Sequence, residues 1–318
     1  MLVQFLILVL GLILLIKGAD WMVNGASSLA RKYNVSDLAI GLTIVAFGTS
    51  APELVVNLYA AIQNHHDLVF GNVIGSNNIN LFVILGIAGL ITPMAVQSST
   101  VWKEIPFSLL AAILLFVLAN NFSGNGVGSI SRVDGLVLLI LFAGFLFYVY
   151  KQLKNDAPAP SEAVKTMPPL KIWGLILIGM AGLVLGGRMV VTNAVTIASA
   201  IGISEKIVGL TIVALGTSLP ELATSVVAAL KKNNDIAVGN IIGSNIFNIF
   251  LILGTSALVK PISFNPIFNT DIYLLIGGTL LLFIAMFTGQ KKKMDRWEAG
   301  LMLVIYLGYT AYLVGMEI

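Results

Sequence analysis

The chain has 318 residues, 58% of them hydrophobic and 10% charged, with a formal net charge of +3 and a mean hydropathy of +0.96. Soluble domains carry about 25% charged residues, so this composition excludes a soluble domain and reads as an integral membrane protein. The absence of cysteine excludes disulfides, thiolate catalysis and thiolate-bound metals.

A helix crosses a bilayer in about 20 apolar residues, and windows of that length recur along the whole chain. The first, Leu2–Ile16, lacks a basic leader and is followed by equally apolar segments, so it reads as a membrane helix and not as a signal peptide. In chain order the predicted helices span 2–19, 36–62, 70–92, 105–120, 133–152, 170–197, 205–230, 237–259, 271–288 and 298–316. His65 and His66, the only histidines, fall in a polar break and read as a solvated loop pair. The longest break, Lys151–Lys171, holds four prolines and mixed charge. It separates a first five-helix unit, 1–152, from a second, 170–318, with 153–169 as linker.

The breaks after the odd-numbered helices hold Arg31, Lys32, Lys103, Lys151, Lys154, Lys165, Lys171, Lys231, Lys232, Lys291, Lys292, Lys293 and Arg296; the others hold Arg132, Lys206 and Lys260. Cytoplasmic loops collect basic residues. The expectation is a central loop in the cytoplasm and both termini outside.

The two units are copies. GLTIVAFGTSAPELVVN from Gly41 aligns without gaps to GLTIVALGTSLPELATS from Gly209, at 12 of 17 positions, and GNVIGSNNIN from Gly71 aligns to GNIIGSNIFN from Gly239, at 7 of 10. One offset of 168 residues serves both. An odd number of helices per copy makes the second enter the membrane inverted, an arrangement that brings equivalent residues together near the midplane. The predicted fold is therefore an all-α polytopic membrane protein of ten transmembrane helices, built as two inverted-topology five-helix repeats.

Each copy carries the same polar cluster inside an apolar run. Thr49, Ser50, Pro52 and Glu53 correspond to Thr217, Ser218, Pro220 and Glu221, and Asn72, Ser76, Asn77 and Asn80 to Asn240, Ser244, Asn245 and Asn248. An acidic residue at a helix centre costs about 2.5–3.5 kcal/mol on insertion and normally faces a bundle interior on an ion path. Proline removes a ladder donor, so a helix break is expected at Pro52 and Pro220, freeing carbonyls near Ala46, Thr49, Ala214 and Thr217. Carboxylates, hydroxyls and carbonyls form an all-oxygen donor set, which suits a hard cation such as Ca²⁺. Taken singly, a membrane proline is a kink, a serine a packing residue and an asparagine a brace; a Glu beside a Pro at equivalent positions of both copies is not explained in that way. Asp20 and Arg188 are also equivalent, and read as structural or interfacial charges.

The doubled GTSxPE and GNxIGSNxxN segments resemble the alpha-1 and alpha-2 repeats of the sodium/calcium exchanger family, within the cation/calcium antiporter superfamily, and the resemblance covers nearly the whole chain. It implies that Glu53 and Glu221 are shared acidic ligands of Ca²⁺ and Na⁺, with the Thr49 and Thr217 carbonyls completing the calcium site. It implies further that Ser50, Ser76, Ser218 and Ser244, with the Ala46 and Ala214 carbonyls, line flanking sodium sites, and that Asn80 and Asn248 close the central diamond. Some members carry Asp where this chain has Asn248, and potassium-dependent relatives do so; neutral amides at both positions imply no potassium requirement. The family's large regulatory calcium-binding domains are missing from the short central loop. By resemblance, the first and sixth helices slide across the other eight.

The expected function is secondary antiport of Ca²⁺ against Na⁺ with no cofactor, nucleic acid or protein partner, in a plasma membrane of prokaryotic type. No GxxxxGK[ST] phosphate loop is present, so ATP is not the expected energy source. A Ca²⁺/H⁺ exchanger using the same glutamates is the alternative; the many hydroxyls favour sodium, because extra sodium ions need oxygen ligands that a proton does not. A channel would need a continuous pore in place of one enclosed site, and a hydrolase would need a base that Ser50 does not have nearby, so the chain does not read as an enzyme.

Overall fold

The computed structural model describes residues 1–120, 128–155, 167–201, 214–289 and 292–317. Ten helices organise these residues: α1 (Leu2–Tyr33), α2 (Asp37–Ile62), α3 (His66–Ile91), α4 (Thr100–Asn120), α5 (Arg132–Asn155), α6 (Pro169–Ala200), α7 (Leu219–Leu230), α8 (Asn234–Val259), α9 (Asn269–Ala285) and α10 (Arg296–Glu317). Eight are long and apolar enough to cross a bilayer; α7 is a shorter apolar helix, and α10 adds 22 residues. The chain is a multi-pass, all-α membrane protein, compatible with ten spans. The expected start of the seventh helix at 205, and most of the 153–169 linker, lie outside the described residues.

Sequence reasoning ends the first helix at 19, but α1 continues to Tyr33. Polar residues beyond position 19 find partners on the turn between α7 and α8. Lys231 Nζ pairs with Asp20 Oδ1 at 2.6 Å and donates to Asn24 Oδ1 at 2.7 Å, and Asn233 Nδ2 donates to Ser27 Oγ at 3.1 Å. The helix stops at Asn34, whose φ of 52° is the left-handed cap conformation. Arg31 and Lys32 therefore lie on its last turn and not in a loop.

The equivalent helices α1 and α6 pack along a glycine seam. A Cβ on Gly18 would fall 2.7 Å from Leu183 N and 2.8 Å from Gly179 O; one on Gly179 would fall 2.7 Å from Met22 N and 2.8 Å from Gly18 O. The backbones touch directly, as close helix approach in membranes requires. The centre of the molecule is made by α2, α3, α7 and α8, with α8 almost wholly buried.

Two short antiparallel ribbons tie loops together, Met94–Ala95 with Lys293–Met294 and Ser129–Ile130 with Ile262–Ser263. Helix α3 passes through a π-helical stretch at Ile79–Ile84 and α8 through one at Phe247–Leu253, whose first residues are again 168 apart. Such stretches re-aim side chains relative to the turn before them and are frequent at functional sites.

Candidate cation site

Glu53 and Glu221 are each 1% exposed. Glu53 lies in the middle of the segment Ala46–Ile62, which runs through Pro52 without interruption and is preceded by a π-helical stretch at Gly41–Val45. The break expected at Pro52 is therefore absent. By helical register Pro52 deprives the Gly48 carbonyl of its donor, not those of Ala46 or Thr49. The irregular turn lies upstream instead, in the π-helical stretch Gly41–Val45.

The second copy differs. The helical residues described from Ala214 to Gly216 end in a turn at Thr217 and Ser218, and α7 starts afresh at Leu219 with Pro220 in its first turn. Proline is tolerated there because its missing N–H would have no partner in any case. Glu221 consequently sits in the first turn of a helix, where the positive end of the dipole favours a carboxylate.

Ser50 lies three residues before Glu53 and so shares its helix face. Its Oγ donates to Glu221 Oε1 at 2.8 Å and lies 3.0 Å from Ser244 Oγ, which brings α2, α7 and α8 together at one point. Thr49 Oγ1 lies 3.2 Å from Ala46 O and 3.0 Å from Asn240 Oδ1. Asn240 is braced in turn by donating to Ser225 Oγ at 3.0 Å. On the other side Thr217 Oγ1 donates to Asn72 Oδ1 at 3.2 Å. Asn80 Nδ2 donates to Asn245 Oδ1 at 3.0 Å and Asn248 Nδ2 to Asn77 Oδ1 at 2.9 Å.

Several oxygens in this cluster are buried without any hydrogen-bond partner: both carboxylate oxygens of Glu53, Oε2 of Glu221, Oγ of Ser76 and Ser218, and Oδ1 of Asn80 and Asn248. Among the described residues neither glutamate is in an ion pair. Buried polar groups are normally satisfied, and an unpaired buried charge costs several kcal/mol. Two carboxylates, hydroxyls and amide carbonyls make an all-oxygen donor set, the kind that suits hard cations.

The predicted residues thus lie on α2, α3, α7 and α8 and the turn before α7, with Ala46 fully buried and Ala214 in the helical residues described ahead of that turn. Four neighbours do further bracing: Asn72 and Asn240 on the threonines, and Asn77 and Asn245 on the amides. All four stand inside the repeated motifs; their identity was legible, but their partners lie in the other copy. Asp20, read as a structural or interfacial charge, pairs with Lys231, whereas the equivalent Arg188 is exposed.

The family model for sodium/calcium exchanger protein matches residues 3–151 and 171–315. The sodium/calcium exchanger MaX1 of Methanosarcina acetivorans is 35% identical over 98% of both chains. Inner membrane protein YrbG of Escherichia coli is 38% identical over 84% of this chain and 83% of its own. Among solved structures, the sodium-calcium exchanger NCX_Mj soaked with Na⁺ and Sr²⁺ superposes with a TM-score of 0.83 at 33% identity, covering 98% of each chain.

Proposed function

The chain belongs to the sodium/calcium exchanger protein family, a family of cation/Ca²⁺ antiporters, and from that membership we propose that it exchanges Na⁺ for Ca²⁺ at one site shared by both ions. Glu53 and Glu221 supply the two formal charges. The Thr49 and Thr217 carbonyls complete the calcium position, and Asn80 and Asn248 close the ring around it. Ser50, Ser76, Ser218 and Ser244, with the Ala46 and Ala214 carbonyls, line flanking sodium positions.

The observation that carries this reading is the cluster of buried oxygens without partners, centred on both oxygens of Glu53. One Ca²⁺ neutralises two carboxylates; Na⁺ ions neutralise the same pair while using the extra hydroxyls. Because the ligands are common, the site holds one cargo at a time, and that competition couples the two fluxes. The glycine seam supports a moving unit made of α1 and α6 together, since two helices in backbone contact shift as a pair. Two inverted five-helix halves, a cytoplasmic central loop, external termini and a plasma-membrane location complete the reading, supported by the paired π stretches and by the distribution of basic residues.

Proteoliposomes loaded with Na⁺ and diluted into choline medium should take up labelled Ca²⁺, and uptake should persist when potassium is removed from both sides. Uptake that ignores the sodium gradient and follows a pH gradient would overturn sodium coupling and make the protein a Ca²⁺/H⁺ exchanger.

A further inference from the structure

An asparagine offers a cation only one useful end. Its Oδ1 can ligate, whereas its NH₂ is a donor that repels a cation, so an amide ligand must be held the right way round. An ionised Asp has no wrong end. This chain has amides at both 80 and 248, and something must orient them.

The orientation follows from a chain of bonds that starts at groups with no choice. Asn77 Nδ2 donates to the backbone carbonyl of Asn245 at 3.2 Å, and Asn245 Nδ2 donates to the backbone carbonyl of Asn77 at 3.3 Å. A backbone carbonyl only accepts, so in each residue the NH₂ end faces the partner's backbone and Oδ1 faces the other way. Asn77 Oδ1 then accepts from Asn248 Nδ2 at 2.9 Å, and Asn245 Oδ1 from Asn80 Nδ2 at 3.0 Å. With their NH₂ groups engaged, Asn80 and Asn248 are left with Oδ1 free, buried and unpartnered. All four residues are at most 2% exposed, so water does not compete for these bonds.

We infer that Asn77 and Asn245 are positioning residues that fix the amides of Asn248 and Asn80 with the carbonyl end toward the transported cation. The inference rests on the proposed roles of Asn80 and Asn248 as ligands. It gives the reciprocal Asn77–Asn245 clasp, which joins α3 to α8, a function in ion recognition besides packing.

The test is a double-mutant cycle on the full chain in lipid nanodiscs, read by equilibrium Ca²⁺ binding without Na⁺. Asn77→Ala should weaken Ca²⁺ binding about tenfold, the scale of one lost hydrogen bond. In an Asn248→Asp background the same substitution should cost nothing or strengthen binding, because an ionised carboxylate at that position needs no orienting and is repelled by Asn77 Oδ1. The pair Asn245→Ala and Asn80→Asp should behave in the same way. Equal penalties in both backgrounds would reduce the clasp to a structural brace and overturn the inference.

If Asn77→Ala and Asn245→Ala do not fold, infrared difference spectra of the unmutated protein with isotope-labelled asparagine decide the matter. Ca²⁺ should shift a side-chain amide carbonyl band, and that shift should shrink in Asn248→Asp; no shift means the carbonyl ends do not meet the ion. The underlying reading fails separately: if Asn80→Ala and Asn248→Ala both leave Ca²⁺ affinity unchanged, these amides are not ligands at all.

Discussion

The two copies of the glutamate motif differ by one residue in six, GTSAPE against GTSLPE, yet they fold differently. The first is a continuous helix with Glu53 at its middle and both carboxylate oxygens unpartnered. The second is broken at Thr217 and Ser218, so Glu221 stands in a first turn, and one of its oxygens accepts from Ser50. The serines divide within each copy: Ser50 and Ser244 are bonded across the site, whereas their equivalents Ser218 and Ser76 have no partner. Near-identical sequence therefore yields two unequal glutamates: Glu53 has both oxygens without a partner, whereas Glu221 has one oxygen bonded by Ser50 of the other copy and one without a partner.

The harshest challenge to this comparison is to remove each charge in turn. Glu53→Gln and Glu221→Gln should each lower sodium-driven Ca²⁺ uptake by about a hundredfold or more, since a carboxylate is the strongest ligand available to a hard cation. Both variants should still insert and purify as monodisperse protein. Uptake retained by either one removes that residue from the site, however buried it is.

The serines sharpen the comparison instead of breaking it. Ser50→Ala removes a bond to a buried carboxylate and should weaken Ca²⁺ activation about tenfold. Ser218→Ala removes a hydroxyl that bonds nothing in the protein, so its effect on Ca²⁺ should stay below about threefold and appear chiefly in the sodium dependence. Equal effects of the two substitutions on Ca²⁺ activation would mean that the inequality between the halves has no bearing on calcium.

A smaller effect is expected where the halves differ at the surface. Asp20 and Arg188 are equivalent positions on α1 and α6; Asp20 is paired with Lys231, and Arg188 is exposed. The Lys231–Asp20 pair is partly exposed, and such pairs contribute at most about 1 kcal/mol. Lys231→Ala should lower the thermal midpoint by a few degrees at most, and Arg188→Ala by less. Differential scanning of both variants in the same detergent settles the order.

Much of the candidate site was legible in the sequence for one physical reason: polar groups inside an apolar run stand out, and their recurrence 168 residues later marks them as a repeated feature. The residues 49, 50, 53, 76 and 80, with their counterparts, follow from that. Local chemistry could not show what depends on partners far along the chain. Asp20 could be read only as a structural or interfacial charge because its counter-charge, Lys231, is 211 residues away. The π stretch before the Pro52 helix was hidden as well, because a largely apolar run such as Gly41–Val45 carries no periodicity that would reveal one. Likewise Asn77 and Asn245 were visible as motif members, but which end of each amide faces its neighbour is set by backbone carbonyls of the opposite copy.

The central claim is that Na⁺ and Ca²⁺ share the ligands gathered around Glu53 and Glu221. Labelled Ca²⁺ bound to the purified protein, titrated with Na⁺ at constant ionic strength, tests it most directly. The account predicts complete displacement with a Hill coefficient above one for Na⁺, and loss of Ca²⁺ binding in Glu53→Gln. Ca²⁺ that stays bound at saturating Na⁺ would contradict a shared site.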